Sequence, residues 1–264
     1  EGVLKRIIEF QDNGGLIVAD EDVCPAIMPD ILLSAYKRTK KADEDKAALQ
    51  AMAVALRSEL DDFYQRHADS SNPEVVVRCR ESGATDYLFA VNDSREFGNY
   101  VGQHGLVMEK GLPSSATLSI NHAGGNVYDL LAHEAVVTQA QPGGIAFDAD
   151  FGPGAGTVYM VTDQAIDRVQ IEAPARIKRG GQADVSVRVL GDDRNPMSAV
   201  IPVRIDIVDP AGRLAEYSGH YGAAGGELSL TLDTAWPDLT GRWTVRATEL
   251  ASGRTAERRI RVTP

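Results

Sequence analysis

Hydrophobic residues change their period along this chain, and the change divides it into parts. Near the start Val3, Leu4, Ile7, Ile8 and Phe10 recur at helical spacing against Lys5, Arg6, Glu9 and Asp12, which predicts a short amphipathic helix. Asn13-Gly14-Gly15 supplies a glycine stop, and the unbroken apolar run LIVAD at 16–20 predicts a strand covered on both faces. A helix, a glycine stop and such a strand form half of a parallel α/β unit, which needs neighbouring strands; the chain is expected to begin partway through a fold. Residues 21–38 hold two prolines and no sustained period. They are expected to form an irregular connection with one helical turn. Residues 43–67 predict one long amphipathic helix, with Leu49, Met52, Ala53, Leu56, Leu60 and Phe63 on one stripe.

From Asn72 onward the period is two. Val75, Val77 and Cys79 alternate with Val76, Arg78 and Arg80; Tyr87, Phe89 and Val91 follow, then Leu118 and Ile120, VYDL at 127–130, HEAVVT at 133–138, Ile145, Phe147 and Ala149, and TVYMVT at 157–162. Short strands separated by Gly, Pro, Asn and Asp predict an antiparallel sandwich or barrel that closes near Asp163. A second set begins near Ile166: Val185, Val187 and Val189; Ile201, Val203, Ile205 and Ile207; Leu228, Leu230 and Leu232; Trp243 and Val245; Ile260 and Val262. About seven strands in about a hundred residues match the count of an immunoglobulin-like sandwich. The expected architecture is mainly β: two consecutive antiparallel β-sandwiches (72–163 and 164–264, the second immunoglobulin-like) preceded by a partial α/β segment with a long helix (1–71).

Composition narrows the function. A net charge of −11 in 264 residues is unfavourable for a phosphate backbone, so nucleic acid is set aside as a partner. No apolar run reaches the ~18 residues a membrane span needs, so no membrane is expected. Cys24 and Cys79 make neither a disulfide framework nor a CxxC site, and are expected to be idle thiols.

Candidate chemistry is sparse. The five histidines, His67, His104, His122, His133 and His220, show no pair at ligand spacing. HEAVV at 133–137 begins like a zinc-peptidase motif but has Val137 where the second histidine belongs, and GPGAGT at 152–157 lacks the Lys-Ser/Thr of a phosphate loop. Asp148 and Asp150 share a strand face, as a glycosidase carboxylate pair could, but on the face opposite Ile145, Phe147 and Ala149, where solvation explains them. The acidic stretches at 19–22 and 191–196 are expected to be acidic turns. No metal or cofactor is expected. The loop at 93–113 is long, rich in glycine, and carries Arg95, Tyr100 and His104. Loops of this length in compact domains are often functional. It is expected to pack on a neighbouring domain, with a ligand site as the alternative. Arg95, Tyr100 and His104, with Trp236, are the ligand-binding candidates.

The order of phrases DYLFAVND (86–93), ATLSINHAGGNVYDLLAHEAVVT (116–138) and GGIAFDADFGPGAGTVYMVT (143–162) resembles the small C-terminal β-sandwich of many glycoside hydrolases. The opening helix, glycine stop and LIVAD resemble the tail of the amidotransferase-like domain that precedes such a sandwich in family 42 β-galactosidases. VIPVRIDIVDPAGR (200–213) and GRWTVRATELASGRTAERRIRV (241–262) are similar to macroglobulin-type or fibronectin-like extracellular modules. The resemblance implies a non-catalytic structural or interaction portion of a larger, exported, carbohydrate-active bacterial protein, and it transfers no catalytic residue. Other domains of the same parent chain are the implied partners, with carbohydrate or a second copy of the chain besides. The alternatives are a carbohydrate-binding module using Trp236, Tyr217, Tyr221 and Tyr100, or a hydrolase with its site in the 93–113 loop.

Overall fold

The computed structural model describes residues 2–20, 27–39, 42–97, 101–102, 105–106, 109–122 and 125–264. Among these, 23 strands accompany two helices, and the expected mainly β class holds. The chain forms two compact units, one of residues 1–66 with 96–110, the other of residues 67–95 with 111–264.

In the smaller unit the helix Gly2–Asp12 ends as its sequence predicts. The amides of Asn13, Gly14 and Gly15 close on the carbonyls of Glu9, Gln11 and Phe10, and Gly14 takes φ 86°, a left-handed conformation that costs glycine little. Val18–Asp20 pairs in parallel with Ile31–Leu33. The second helix, Ala42–Leu60, is shorter at its C-terminal end than its apolar stripe suggests. Asp61 and Asp62 fall where the helix dipole disfavours negative charge, and the chain turns there, with Arg66 pairing Asp61 at 2.6 Å.

The larger unit is built in layers. Four strands, in the order Gln139–Gln141, Gly144–Phe151, Ser114–Ile120 and Ala68–Ser70, form one sheet. Five more, in the order Glu134–Val136, Asn126–Asp129, Gly156–Thr162, Thr85–Asn92 and Val75–Ser82, form the facing sheet. Leu88, Leu118, Ile120, Phe147 and Val161 fill the space between them, and Phe147 meets Tyr159 edge to face at 4.8 Å. The alternation of these strands is therefore that of a two-sheet core.

The remaining eight strands hydrogen-bond as one curled sheet. The strand ladder passes between its two parts at the single pair Ala224 and Glu227, at a hairpin where Gly225 and Gly226 both have positive φ. So thin a junction lets the sheet fold over and bury Val185, Val187, Val189, Ile201, Val203, Ile205 and Ile207 completely. The periodicity names these residues correctly.

What the periodicity misses is that the two β-parts share a core. Tyr128 and Met160, on the outer face of the five-stranded sheet, belong to the hydrophobic cluster of the curled sheet, and Tyr87 and Leu130 pack against it. The strand Gly156–Thr162 is buried from Tyr159 to Thr162 without a break. That explains its continuous apolar run, since a strand covered on both faces has no polar side to alternate.

Candidate functional site

The hairpin Val75–Asn92 turns through only Gly83 and Ala84, with Ser82 opposite Thr85. Gly83 takes φ 62°. This short turn fixes a register that sets Glu81 opposite Asp86 and Cys79 opposite Leu88. Because side chains on a strand alternate, Cys79, Glu81 and Asp86 all project from one face, toward the end of the first sandwich. Two histidines reach the same place from the other sheet. His67 immediately precedes the edge strand Ala68–Ser70. Its carbonyl accepts the amide of Asn121, which brings His122 alongside.

Asp86 lies at the centre and is 4% exposed. Its Oδ2 stands 2.9 Å from His122 Nδ1 and 3.2 Å from His67 Nε2, and its Oδ1 accepts a hydrogen bond from Cys79 Sγ at 3.6 Å. His122 Nε2 meets Asp163 Oδ1 at 2.8 Å, so carboxylates orient this ring at both nitrogens. His67 Nε2 also lies 3.7 Å from Glu81 Oε1. Although buried, this nitrogen makes no hydrogen bond: Glu81 is beyond hydrogen-bond reach, and the Asp86 contact lacks the alignment. Burial, then the charge of Asp86, pushes the Cys79 thiol up to about 12. Cys79 is thus a protonated donor near neutral pH, not a nucleophile.

Beside the cluster opens a cleft of about 250 Å³ between the two β-parts, lined among others by Thr85, Thr162, Asp163, Gln164, Asp193 and Ser198. Its walls are tied together. Thr85 Oγ1 and Tyr87 Oη donate to the carbonyls of Ser198 and Val200 at 3.2 and 2.6 Å, and Tyr128 Oη accepts the amide of Ile166 at 2.8 Å. Asp193 accepts from the backbone amide and the side chain of Asn195 and from the side-chain Nε2 of Gln164. These donors, led by the Asn195 backbone, hold its carboxyl below the usual range. The acidic stretch at 191–196 is a turn, as expected.

The sequence-predicted ligand residues do not converge among the described residues. Tyr100, His104 and Cys24 lie outside them. Arg95 is exposed, 3.5 Å from Asp93. Trp236 is 70% exposed, with the Arg179 guanidinium 5.9 Å from its ring centre and Gly180 close against it. Tyr217 and Tyr221 are only partly buried and spend their hydroxyls on Asp233 and on the Tyr217 carbonyl. His133, placed in a strand by periodicity, occupies a turn with φ 59°, and its ring meets the Leu250 carbonyl. Asp148 stands on the exposed face and accepts from Thr117. The carbonyl of Gly152, in the glycine turn at 152–157, accepts from Asn92.

The Cys79–Asp86–His67–His122 cluster is what sequence reasoning overlooked. One signal was available: a two-residue turn at Gly83-Ala84 sets Asp86 opposite Glu81. The histidines had none, because strand pairing between distant segments brings them in.

No family model matches this chain, and no curated protein matches it. Among solved structures it is similar to a superoxide reductase (neelaredoxin) from Ignicoccus hospitalis, at 17% identity and TM-score 0.30, over 37% of this chain and 82% of that one. It is also similar to the Yersinia pseudotuberculosis adhesin InvE, at 10% identity and TM-score 0.31, over 74% and 60%. A third is a protein provisionally named a β-galactosidase, from Bacteroides fragilis, at 14% identity and TM-score 0.24, over 67% and 32%. The glycosidase link is therefore loose, and likenesses this distant carry no functional argument.

Proposed function

We propose that this chain is a non-catalytic structural and interaction portion of a larger carbohydrate-active protein, serving as a stiff β arm. The observation that carries this reading is the shared core: Tyr128 and Met160 of the five-stranded sheet are buried in the hydrophobic cluster of the curled sheet. A module whose task is to hold other parts at a fixed spacing needs such a seam, since small polar interfaces between domains allow relative motion by default. Hydrogen bonds between the halves, donated by Thr85 and Tyr87 and accepted by Tyr128, add to that seam. Apolar residues also remain open on the two helices, Val3, Phe10 and Val54 among them, which suits a partner domain of the same parent protein.

The test has two arms. The isolated chain should turn over neither chromogenic glycosides nor esters above the buffer rate, and small-angle scattering should fit the larger unit, residues 67–95 with 111–264, as one rigid body. Turnover that disappears in Asp148→Asn, or a scattering curve requiring independent motion of the two β-parts, would reject the proposal.

A further inference from the structure

We infer that His67, Cys79 and Asp86 form a binding site for a divalent zinc-class cation, with Glu81 at its open side. The site goes beyond the structural role above and does not depend on it. Three observations lead to it. The first is convergence: one ligand atom each from His67, Cys79 and Asp86 lies within 4.8 Å of the others. Zinc with ligands at about 2.0 to 2.3 Å in a tetrahedron sets them roughly 3.3 to 3.8 Å apart. His67 Nε2 lies 3.2 Å from Asp86 Oδ2 and Cys79 Sγ 3.6 Å from Asp86 Oδ1, the two oxygens of one carboxylate, so with every ligand atom already within 4.8 Å of the others a contraction of about 1 Å along the longest edge reaches the tetrahedral spacing.

The second observation is an orphaned atom. His67 Nε2 is buried without a hydrogen bond, with two carboxylates near it at 3.2 and 3.7 Å. Buried polar atoms are almost always satisfied, and a cation is a partner for this one. The third is electrostatic. Hairpin register sets Glu81 directly opposite Asp86, and like charges at facing strand positions repel. A cation between them reverses the sign of that interaction.

The donor set selects the metal class. One imidazole, one cysteine sulfur that releases its proton to solvent as the cation binds, and carboxylates suit zinc and its borderline-soft neighbours, whereas magnesium and calcium prefer oxygen alone. His122 has a different part. With Nδ1 at 2.9 Å from Asp86 and Nε2 at 2.8 Å from Asp163, it orients the carboxylate, as outer partners of metal ligands commonly do. A cation here would join the edge strand that His67 precedes to the Val75–Asn92 hairpin, closing one end of the first sandwich.

The whole chain, stripped with chelator and dialysed, should bind one equivalent of Co²⁺ with a near-ultraviolet thiolate-to-cobalt charge-transfer band, and Zn²⁺ should displace it. Cys79→Ser should abolish the band, and His67→Gln should weaken Zn²⁺ binding by about 100-fold or more. Asp148→Asn, an acid on an exposed face elsewhere, should change nothing. Circular dichroism checks that each variant folds. If Cys79→Ser does not fold, His67→Gln, which alters a half-exposed ring, carries the test alone. No charge-transfer band in the wild type, a band that survives Cys79→Ser, or Zn²⁺ affinity unmoved by His67→Gln would each overturn the inference.

Discussion

Asn92 ends the alternating stretch YLFAVN, and its side chain explains why the strand stops there. The amide Nδ2 donates to the carbonyls of Leu112 and Gly152 at 2.7 and 2.8 Å, and Oδ1 accepts from the Ser94 amide and the Ser114 hydroxyl at 2.9 and 2.8 Å. One buried side chain thus pins three loop segments. Asn92→Asp keeps the volume but replaces the donor with an acceptor facing two carbonyls. Because a buried group left unsatisfied or opposed costs more than a hydrogen bond contributes, urea unfolding should show a loss of about 3 kcal/mol. Ser114→Ala, which leaves Asn92 its other partners, should cost about 1 kcal/mol. Equal losses would mean that Asn92 is not the centre of this junction. Tyr159 carries a pH dependence. Burial, then the charges of Asp129 and Asp150, pushes its phenol up to about 12 from 10.0. A raised folded value means the neutral form is favoured in the fold, so the contribution is complete below pH 10 and is lost as pH climbs toward 12. Melting temperatures measured from pH 8 to 12 should fall less steeply above pH 10 in Tyr159→Phe than in the wild type, while the ring contact with Phe147 is kept.

At the scale of elements, the hairpin Gly219–Asp233 is the most exacting. A Cβ added at Gly226 would come within 2.6 Å of the Met197 amide nitrogen and 2.9 Å of the Val189 carbonyl, at φ 73°. At Gly225, φ 61°, it would meet nothing within 4 Å. Gly225→Ala should therefore cost only the left-handed backbone strain, roughly 1 to 2 kcal/mol. Gly226→Ala must also push two backbone segments apart and should cost about 4 kcal/mol or more. Chemical denaturation of the two variants side by side distinguishes strain from collision; similar losses would show that the crowding relaxes. Elements like this also mark what the sequence made legible. Long strands with one face in a core, such as Val200–Val208 and Gln182–Gly191, were visible from alternation alone. The three-residue edge strands Ala68–Ser70, Gln139–Gln141 and Arg176–Lys178 were not, because too few side chains alternate and backbone pairing does the holding. The metal-type cluster was half legible: the turn at Gly83-Ala84 implies Asp86 opposite Glu81, whereas His67 and His122 are neighbours only through the pairing of strands 48 residues apart, Ser70 with Leu118.

For the larger unit as a whole, the decisive question is whether its two β-parts unfold together. Strand register sets Met160 opposite Tyr87, on the face of the five-stranded sheet that a lone sandwich would leave to solvent, yet Met160 is fully buried and Tyr87 donates its hydroxyl to Val200. A buried methionine side chain is worth about 2 kcal/mol in area terms, and several such residues line the seam. Coupling of that size exceeds the ~1.4 kcal/mol that makes a tenfold difference in population, so calorimetry should find the larger unit, residues 67–95 with 111–264, melting in one transition. Tyr128→Phe tests the polar side of the coupling. It strands the buried Ile166 amide, which now donates to Tyr128 at 2.8 Å, and should lower stability by about 1 to 3 kcal/mol without splitting the transition. Met160→Asp tests the apolar side: a carboxylate in that core has no partner, and the transition should separate into two, with the curled sheet melting on its own. A wild-type protein that already melts in two steps would mean the seam is too weak to make a stiff arm, and the structural role proposed above would fall with it.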